Sequence, residues 1–186
     1  MTTFRFTAEP DAKGAAAFRR HMGARRFAYN ECRRAVVAAL AAKRVDPATV
    51  VPWSGYSLIN WFNTWKKTEA AGRRFAVDTQ GCAELVDVGL SWRKEVCAQV
   101  FEEAAVDLGR TLAAFSASKK GERKGTPVGF PQAKKKGQAR GTFRLRNKPS
   151  SSGAPSIRLG EAGARSLTLP FIGVVAVREN TRALRR

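Results

Sequence analysis

Residues 128–147 read VGFPQAKKKGQARGTFRLRN, and the interpretation of the whole chain turns on them. The stretch opens on an apolar turn, Val128-Gly129-Phe130-Pro131, and passes through a basic loop holding Lys134, Lys135, Lys136 and Arg140. It closes on the alternating segment Thr142-Phe143-Arg144-Leu145-Arg146-Asn147. With a side-chain period of two, Phe143 and Leu145 face one side of an extended chain, and Arg144 and Arg146 face the other. Apolar feet beneath a row of cations describe a strand of a sheet or barrel that meets a polyanion.

Composition points the same way. The 186 residues carry 34 Lys and Arg against 15 Asp and Glu, a formal charge of +19. Such a field attracts phosphate-rich partners, so nucleic acid leads the partner classes, ahead of an anionic membrane surface and acidic proteins. Residues 1–110 carry 17 Lys and Arg against 12 acids, whereas residues 111–186 carry 17 against 3. A phosphate backbone is therefore held most strongly by the C-terminal part.

Three widely spaced cysteines, Cys32, Cys82 and Cys97, with no CxxC, read as buried or free thiols of a reducing compartment. One histidine, His21, and no cysteine cluster give no zinc pattern. The start MTTFRFT lacks a basic-then-apolar signal. The longest apolar run, Ala35 to Ala42, falls far below the ~18 residues of a membrane span. The expectation is a soluble intracellular protein.

In chain order, Thr3-Phe4-Arg5-Phe6-Thr7 predicts a short strand, broken by Glu9-Pro10-Asp11, with Asp11 capping a helix. Phe18, Met22, Tyr29, Cys32, Val36 and Leu40 recur at helical intervals, with a break allowed near Gly23. A second helix is expected from Ser54 to about Ala71, and Gly72 to Gly89 shows no period and reads as a loop. A third helix is expected from a Ser91 cap, carrying Trp92, Val96, Val100, Ala104, Leu108, Leu112 and Phe115, with Glu95 in its first turn. After the basic connector Lys119–Gly125, short strands are predicted at 142–146, 156–159, 166–169 and 173–178, with a loop at Ser150-Ser151-Ser152-Gly153. The N-terminal strand then belongs to the C-terminal sheet, with the helices inserted between them.

Six short motifs stand in a telling order. They are Arg5-Phe6 before Pro10; Gly23-Ala24-Arg25-Arg26-Phe27-Ala28-Tyr29-Asn30; Trp92-Arg93-Lys94-Glu95-Val96-Cys97-Ala98-Gln99; Val128-Gly129-Phe130-Pro131 with its lysines; Phe143 to Asn147; and Leu167 to Val175. Together they resemble the N-terminal half of the TnpB/OrfB transposon-encoded proteins and the related compact type V CRISPR effectors. The resemblance implies an α+β chain: an oligonucleotide-binding-type β-barrel, the wedge domain, formed by residues 1–10 and 126–186. An inserted α-helical recognition lobe, residues 11–125, splits it. It implies guide RNA and double-stranded target DNA as partners, no membrane, and a cytoplasmic prokaryotic location, on the nucleoid when DNA is bound. Cleavage, with a divalent metal such as Mg2+, is implied for a RuvC-like region following these residues, and no cofactor for the residues themselves.

The residues and the resemblance together sort the candidate site residues. Arg146 and Asn147 are placed to read a DNA motif, since Arg pairs with guanine edges and Asn with adenine edges. Phosphate contact, or a turn Asn before Lys148-Pro149, stays open for them. Gln99 is expected to approach the same DNA, with Glu102 and Glu103 on the exposed side, where either accepts from a cytosine amino group or, the favoured reading, faces water. Trp53, in a Pro-flanked loop, is the candidate for stacking on a base or sugar. Sequence-blind backbone contacts fall to Lys134, Lys135, Lys136, Arg140 and Arg144, with Arg25, Arg26 and Asn30 of the first helix and Arg5. Metal-dependent cleavage needs converging carboxylates, and the strand-rich end holds only Glu122, Glu161 and Glu179. No catalytic residue is assigned. The alternatives are a standalone basic protein, a ribosomal-type RNA binder or a repressor, and a transposase. The last is disfavoured because Tyr29 and Tyr56 have only His21 beside them in the sequence inventory.

Overall fold

Asp11 starts the first helix, its carboxylate accepting the Gly14 N–H at 2.7 Å. The computed structural model describes residues 3–149 and 153–184, so Ser150-Ser151-Ser152 of the expected loop lie outside the described residues. Helix α1 then runs Ala12–Val45, 34 residues, passing Gly23 without a break. Helix α2, Gly55–Trp65, starts at a capping box in which Ser54 and Ser57 satisfy each other's backbone N–H groups. Helix α3 spans Gln99–Lys119.

The core lies between these three helices. Ala24, Ala28, Cys32 and Val36 recur every four residues along α1 and are buried against Val100, Ala104, Leu108 and Leu112 of α3 and Leu58 and Phe62 of α2. Small residues on the α1 stripe let the axes approach closely. Helices α2 and α3 meet backbone to backbone at their glycines, where a methyl built on Gly109 would stand 2.5 Å from the Gly55 nitrogen.

Several boundaries differ from the sequence expectation, and α2 ends at Trp65 rather than near Ala71, where Glu69–Ala71 forms a separate 3-10 turn. Ser91 caps no long helix: Ser91–Lys94 is a single 3-10 turn, and α3 begins eight residues later. The reason is His21, whose Nε2 accepts the Cys97 N–H at 3.2 Å and takes that donor out of any helix running through it. Glu95 accordingly lies ahead of α3 rather than in its first turn. The region 72–89 is a β-hairpin, not a loop: β2, Arg73–Val77, pairs antiparallel with β3, Ala83–Val88. A register shift between Arg74 and Phe75 breaks the alternation that would have betrayed it. Gly89, at φ +89°, closes the hairpin's base, donating to the Gly72 carbonyl at 2.8 Å.

The chain's two ends meet in one antiparallel sheet. Its strands are β1 (Ala8–Glu9), β4 (Arg158–Leu159), β5 (Ser166–Leu169) and β6 (Gly173–Val177), in the order β1-β6-β5-β4. Ala8 faces Val177, so the N-terminal strand does join the C-terminal ones across the inserted helices. The first strand is Ala8–Glu9 rather than Thr3–Thr7, although the Thr7 N–H still donates to the Glu179 carboxylate at 2.7 Å. Among the described residues the sheet is open, with β1 and β4 at its edges, and the fold is α+β without a closed barrel. The strand expected at 156–159 shrinks to Arg158–Leu159, because the Ile157 N–H is taken by the Asn147 side chain at 2.9 Å.

Replacing Gly109 by Ala should lower stability by about 1–3 kcal/mol, the range for overpacking a filled contact. Chemical denaturation of Gly109→Ala beside the parent protein measures it.

Candidate nucleic-acid interface

Residues 142–148 keep the predicted alternation but not the predicted strand. Phe143 and Leu145 point inward and pack against the helical core, Phe143 with its ring 5.6 Å from Phe18 and 5.3 Å from His21. Arg144, Arg146 and Lys148 point outward. Among the described residues no strand pairs with 142–146, because α1 and α3 supply its backbone partners. The Arg146 N–H donates to Gln99 Oε1 at 2.7 Å, and Arg25 donates to the Thr142 carbonyl at 3.4 Å and its hydroxyl at 2.7 Å. The segment is a strap laid along two helices.

What holds the strap is a ladder of ion pairs with α3. Arg144 pairs with Glu103 at 3.3 Å and Asp107 at 3.1 Å. Arg146 pairs through Nε with Glu103 at 2.6 Å and through Nη2 with Glu102 at 2.5 Å. Lys148 reaches Glu102 at 3.0 Å, and Arg25 of α1 reaches Asp107 at 2.5 Å. The register follows from geometry: two extended residues advance about 6.6 Å, and four helical residues advance about 6 Å. Arg144 therefore meets Asp107, and Arg146 meets Glu103 one helical turn earlier, with Lys148 sharing the adjacent Glu102. The expectation that Glu102 and Glu103 face water is overturned, since the Glu103 side chain is only 5% exposed. Three carboxylates facing four cations are not a metal set, and no group of His, Cys, Asp or Glu among the described residues could hold a metal ion.

The basic loop is anchored at its start. Asn30 grips the Lys134 backbone twice, accepting its N–H at 2.8 Å and donating to its carbonyl at 2.9 Å. The Lys134 ammonium sits 3.9 Å from the centre of the Tyr29 ring, and burial, helped by nearby Arg25, pushes its pKa down. Just before it, Arg33 donates to the Pro131 carbonyl at 2.6 Å, and Phe130 meets Phe115 edge to face at 5.5 Å. The Gly129-Phe130-Pro131 turn is thus an apolar plug between α1 and α3.

The candidate residues divide accordingly. The structure brings Gln99, Arg146 and Asn147 together, but Gln99 holds the Arg146 backbone and the Asn147 Oδ1 accepts from Ile157. Trp53 stands apart, half-buried, its indole N–H donating to Ser116 at 3.1 Å. Among the backbone candidates, Asn30, Lys134, Arg25 and Arg144 are engaged within the fold. Lys135, Lys136, Arg140, Arg26 and Arg5 make no ion pair among the described residues, and all but half-buried Arg26 are exposed. The acids of α3 were missed as partners. Their signal was a Gln99-Glu102-Glu103-Asp107 stripe whose pitch matches alternate residues of a basic extended segment.

Comparison with known proteins adds one finding. Two proteins of Mycobacterium tuberculosis, one in each of two strains, are 30% identical to this chain over 186 residues. Each bears the name "Putative RNA-guided DNA endonuclease". The chain is similar to proteins of that name. The match covers the whole of this chain but 36% of each relative's length. No family model matches the chain. Among the described residues, no helix is long and apolar enough to cross a membrane.

His21 links the strap to α3 and can be tested by pH. It is fully buried, with Nδ1–H donating to the Ala17 carbonyl at 2.8 Å and Nε2 accepting from Cys97, a pattern that requires the neutral ring. Burial, reinforced by Arg20, holds its pKa below the ordinary histidine value. The unfolded chain therefore takes up the proton first, and the stabilisation is complete above about pH 6.5 and lost as pH falls below it. Denaturant unfolding from pH 7.5 down to pH 5 should show stability falling by up to about 1.4 kcal/mol per pH unit from this group. His21→Asn should flatten that slope.

Proposed function

We propose that this chain is the nucleic-acid-binding part of an RNA-guided DNA-targeting effector, TnpB-like or of the compact type V CRISPR kind. The observation that carries the proposal is the match to proteins named as RNA-guided DNA endonucleases along all 186 residues. The charge of +19 and the order of the six motifs support it. In this reading the β1-β6-β5-β4 sheet is the wedge domain, part of an oligonucleotide-binding-type barrel, and residues 11–125 form the recognition lobe. Both hold the scaffold of a guide RNA.

Exposed Lys135, Lys136 and Arg140, with Arg26 and Arg5, supply the sequence-blind grip on phosphate. Arg146 is the lead residue for reading the DNA motif beside the target. Its ion pairs use Nε and Nη2, so Nη1 is uncommitted among the described residues, and the side chain is 45% exposed. A guanidinium already fixed by two carboxylates loses little freedom on meeting a base edge. Gln99 and Asn147 act beside it, chiefly by fixing its backbone and the turn that follows. Binding the duplex locally starts the opening that lets the guide pair with the target strand. Cleavage is assigned to a RuvC-like region in the part of such proteins that the match does not cover, because the carboxylates clustered here are each committed to cations.

Sequencing the RNA that co-purifies with the protein tests this reading. One enriched scaffold is expected, and a random RNA population would overturn it. At residue level, Arg146→Lys keeps the charge but loses the planar fork. It should change which flanking bases are accepted, by ~1–3 kcal/mol per lost bidentate contact. Lys135→Ala should weaken binding to all sequences alike and make the slope of log affinity against log salt shallower by about one. Equal, sequence-blind losses for both would remove Arg146 from the reading role.

A further inference from the structure

Gly23 occupies the interior of α1, where alanine would be more favourable by about 1 kcal/mol. A Cβ built there meets no atom within 4 Å. The space left open is a cleft of about 260 Å3 between α1 and the Ser91–Lys94 turn. Buried Ala24 and Val96 line it together with half-buried Phe27 and Trp92, whose rings meet edge-on at 5.3 Å. Arg20 and Glu95 are exposed at its rim. Neither of their charged groups has an ion-pair or hydrogen-bond partner among the described residues, whereas Glu102, Glu103 and Asp107 on the next helix are all paired.

We propose that this cleft receives one unstacked nucleobase of a single-stranded nucleic acid, an inference that rests on the nucleic-acid-binding reading above. An apolar cleft with touching aromatic rings along its wall takes a planar ring laid against them by dispersion and stacking, which every base can supply. A free guanidinium and a free carboxylate at the rim offer a donor and an acceptor to the polar edge of that ring. Arg19 and Lys94, exposed beside the rim residues in sequence, suit the flanking phosphates. The size fits one base rather than a drug-sized ligand, whose pockets begin at about 300 Å3. The charge of +19 favours an anionic polymer over an apolar peptide as the occupant. Trp53, the candidate from sequence, is tied to Ser116, and Trp92 takes its place as the stacking ring.

The test is Gly23→Leu, which fills the open space with a good helix former and should not lower the melting temperature. Binding is measured to a fluorescent single-stranded RNA, to the same strand with abasic positions, and to the matched DNA pair. Gly23→Leu should weaken binding of a base-bearing strand by roughly tenfold or more and leave the abasic strands unchanged. The RNA and DNA arms show which strand supplies the base. Should Gly23→Leu unfold more easily, Gly23→Ala gives the same comparison with one methyl. Unchanged affinity, or equal losses on base-bearing and abasic strands, overturns the inference while leaving the functional reading intact. If the parent protein binds no strand at all, that reading fails as well. A tryptophan fluorescence change caused by an amphipathic peptide, by no oligonucleotide, and lost in Gly23→Leu would overturn the inference and assign the cleft to a protein partner.

Discussion

The pairing of Arg144, Arg146 and Lys148 with Glu102, Glu103 and Asp107 is the constraint on which the arrangement of the basic C-terminal half depends. It works because an extended chain and a helix repeat at nearly the same length, about 6.6 Å per two residues against about 6 Å per four. The apolar side of the same segment, Phe143 and Leu145, closes the helical core. Arg25 completes the junction by joining α1 to Asp107 and to Thr142. One short stretch therefore binds the two long helices together and sets the direction in which the chain enters the sheet.

The ladder separates two jobs that composition alone merges. A net charge of +19 is a reason for phosphate affinity, not a map of it. The most basic-looking residues of the strap are compensated by acids, while Lys135, Lys136 and Arg140 have no such partners. In the proposed reading, sequence-blind grip falls to the loop and orientation to the strap. The half-exposed arginines of the strap keep part of their donor set toward solvent in a fixed direction, the condition for discriminating one base from another.

Much of this was legible in the sequence, for identifiable reasons. Asp11 and Ser54 announce helix starts through their caps, and the fours and threes of Cys32, Val36, Val100, Ala104 and Leu108 mark the faces that meet in the core. The alternation at 142–146 correctly separated inward from outward side chains. It misled about the strand because period two reports two faces, not a hydrogen-bonding neighbour, and here that neighbour is a Gln side chain. The hairpin at 73–88 was hidden by its bulge, and the start of α3 by His21, a partner 76 residues away. Glu102 and Glu103 look solvated in a one-dimensional pattern, since nothing local says that a basic segment some 40 residues later will lie over them.

Amide hydrogen exchange at Arg146, in protein free of nucleic acid, tests most directly whether the strap is positioned before any partner binds. Its N–H is held by Gln99 and its side chain by two carboxylates. At low salt the amide should be protected well beyond an unstructured chain, and the protection should decline as salt screens the ladder. Exchange at the unprotected rate at low salt would contradict a strap held in place by α3.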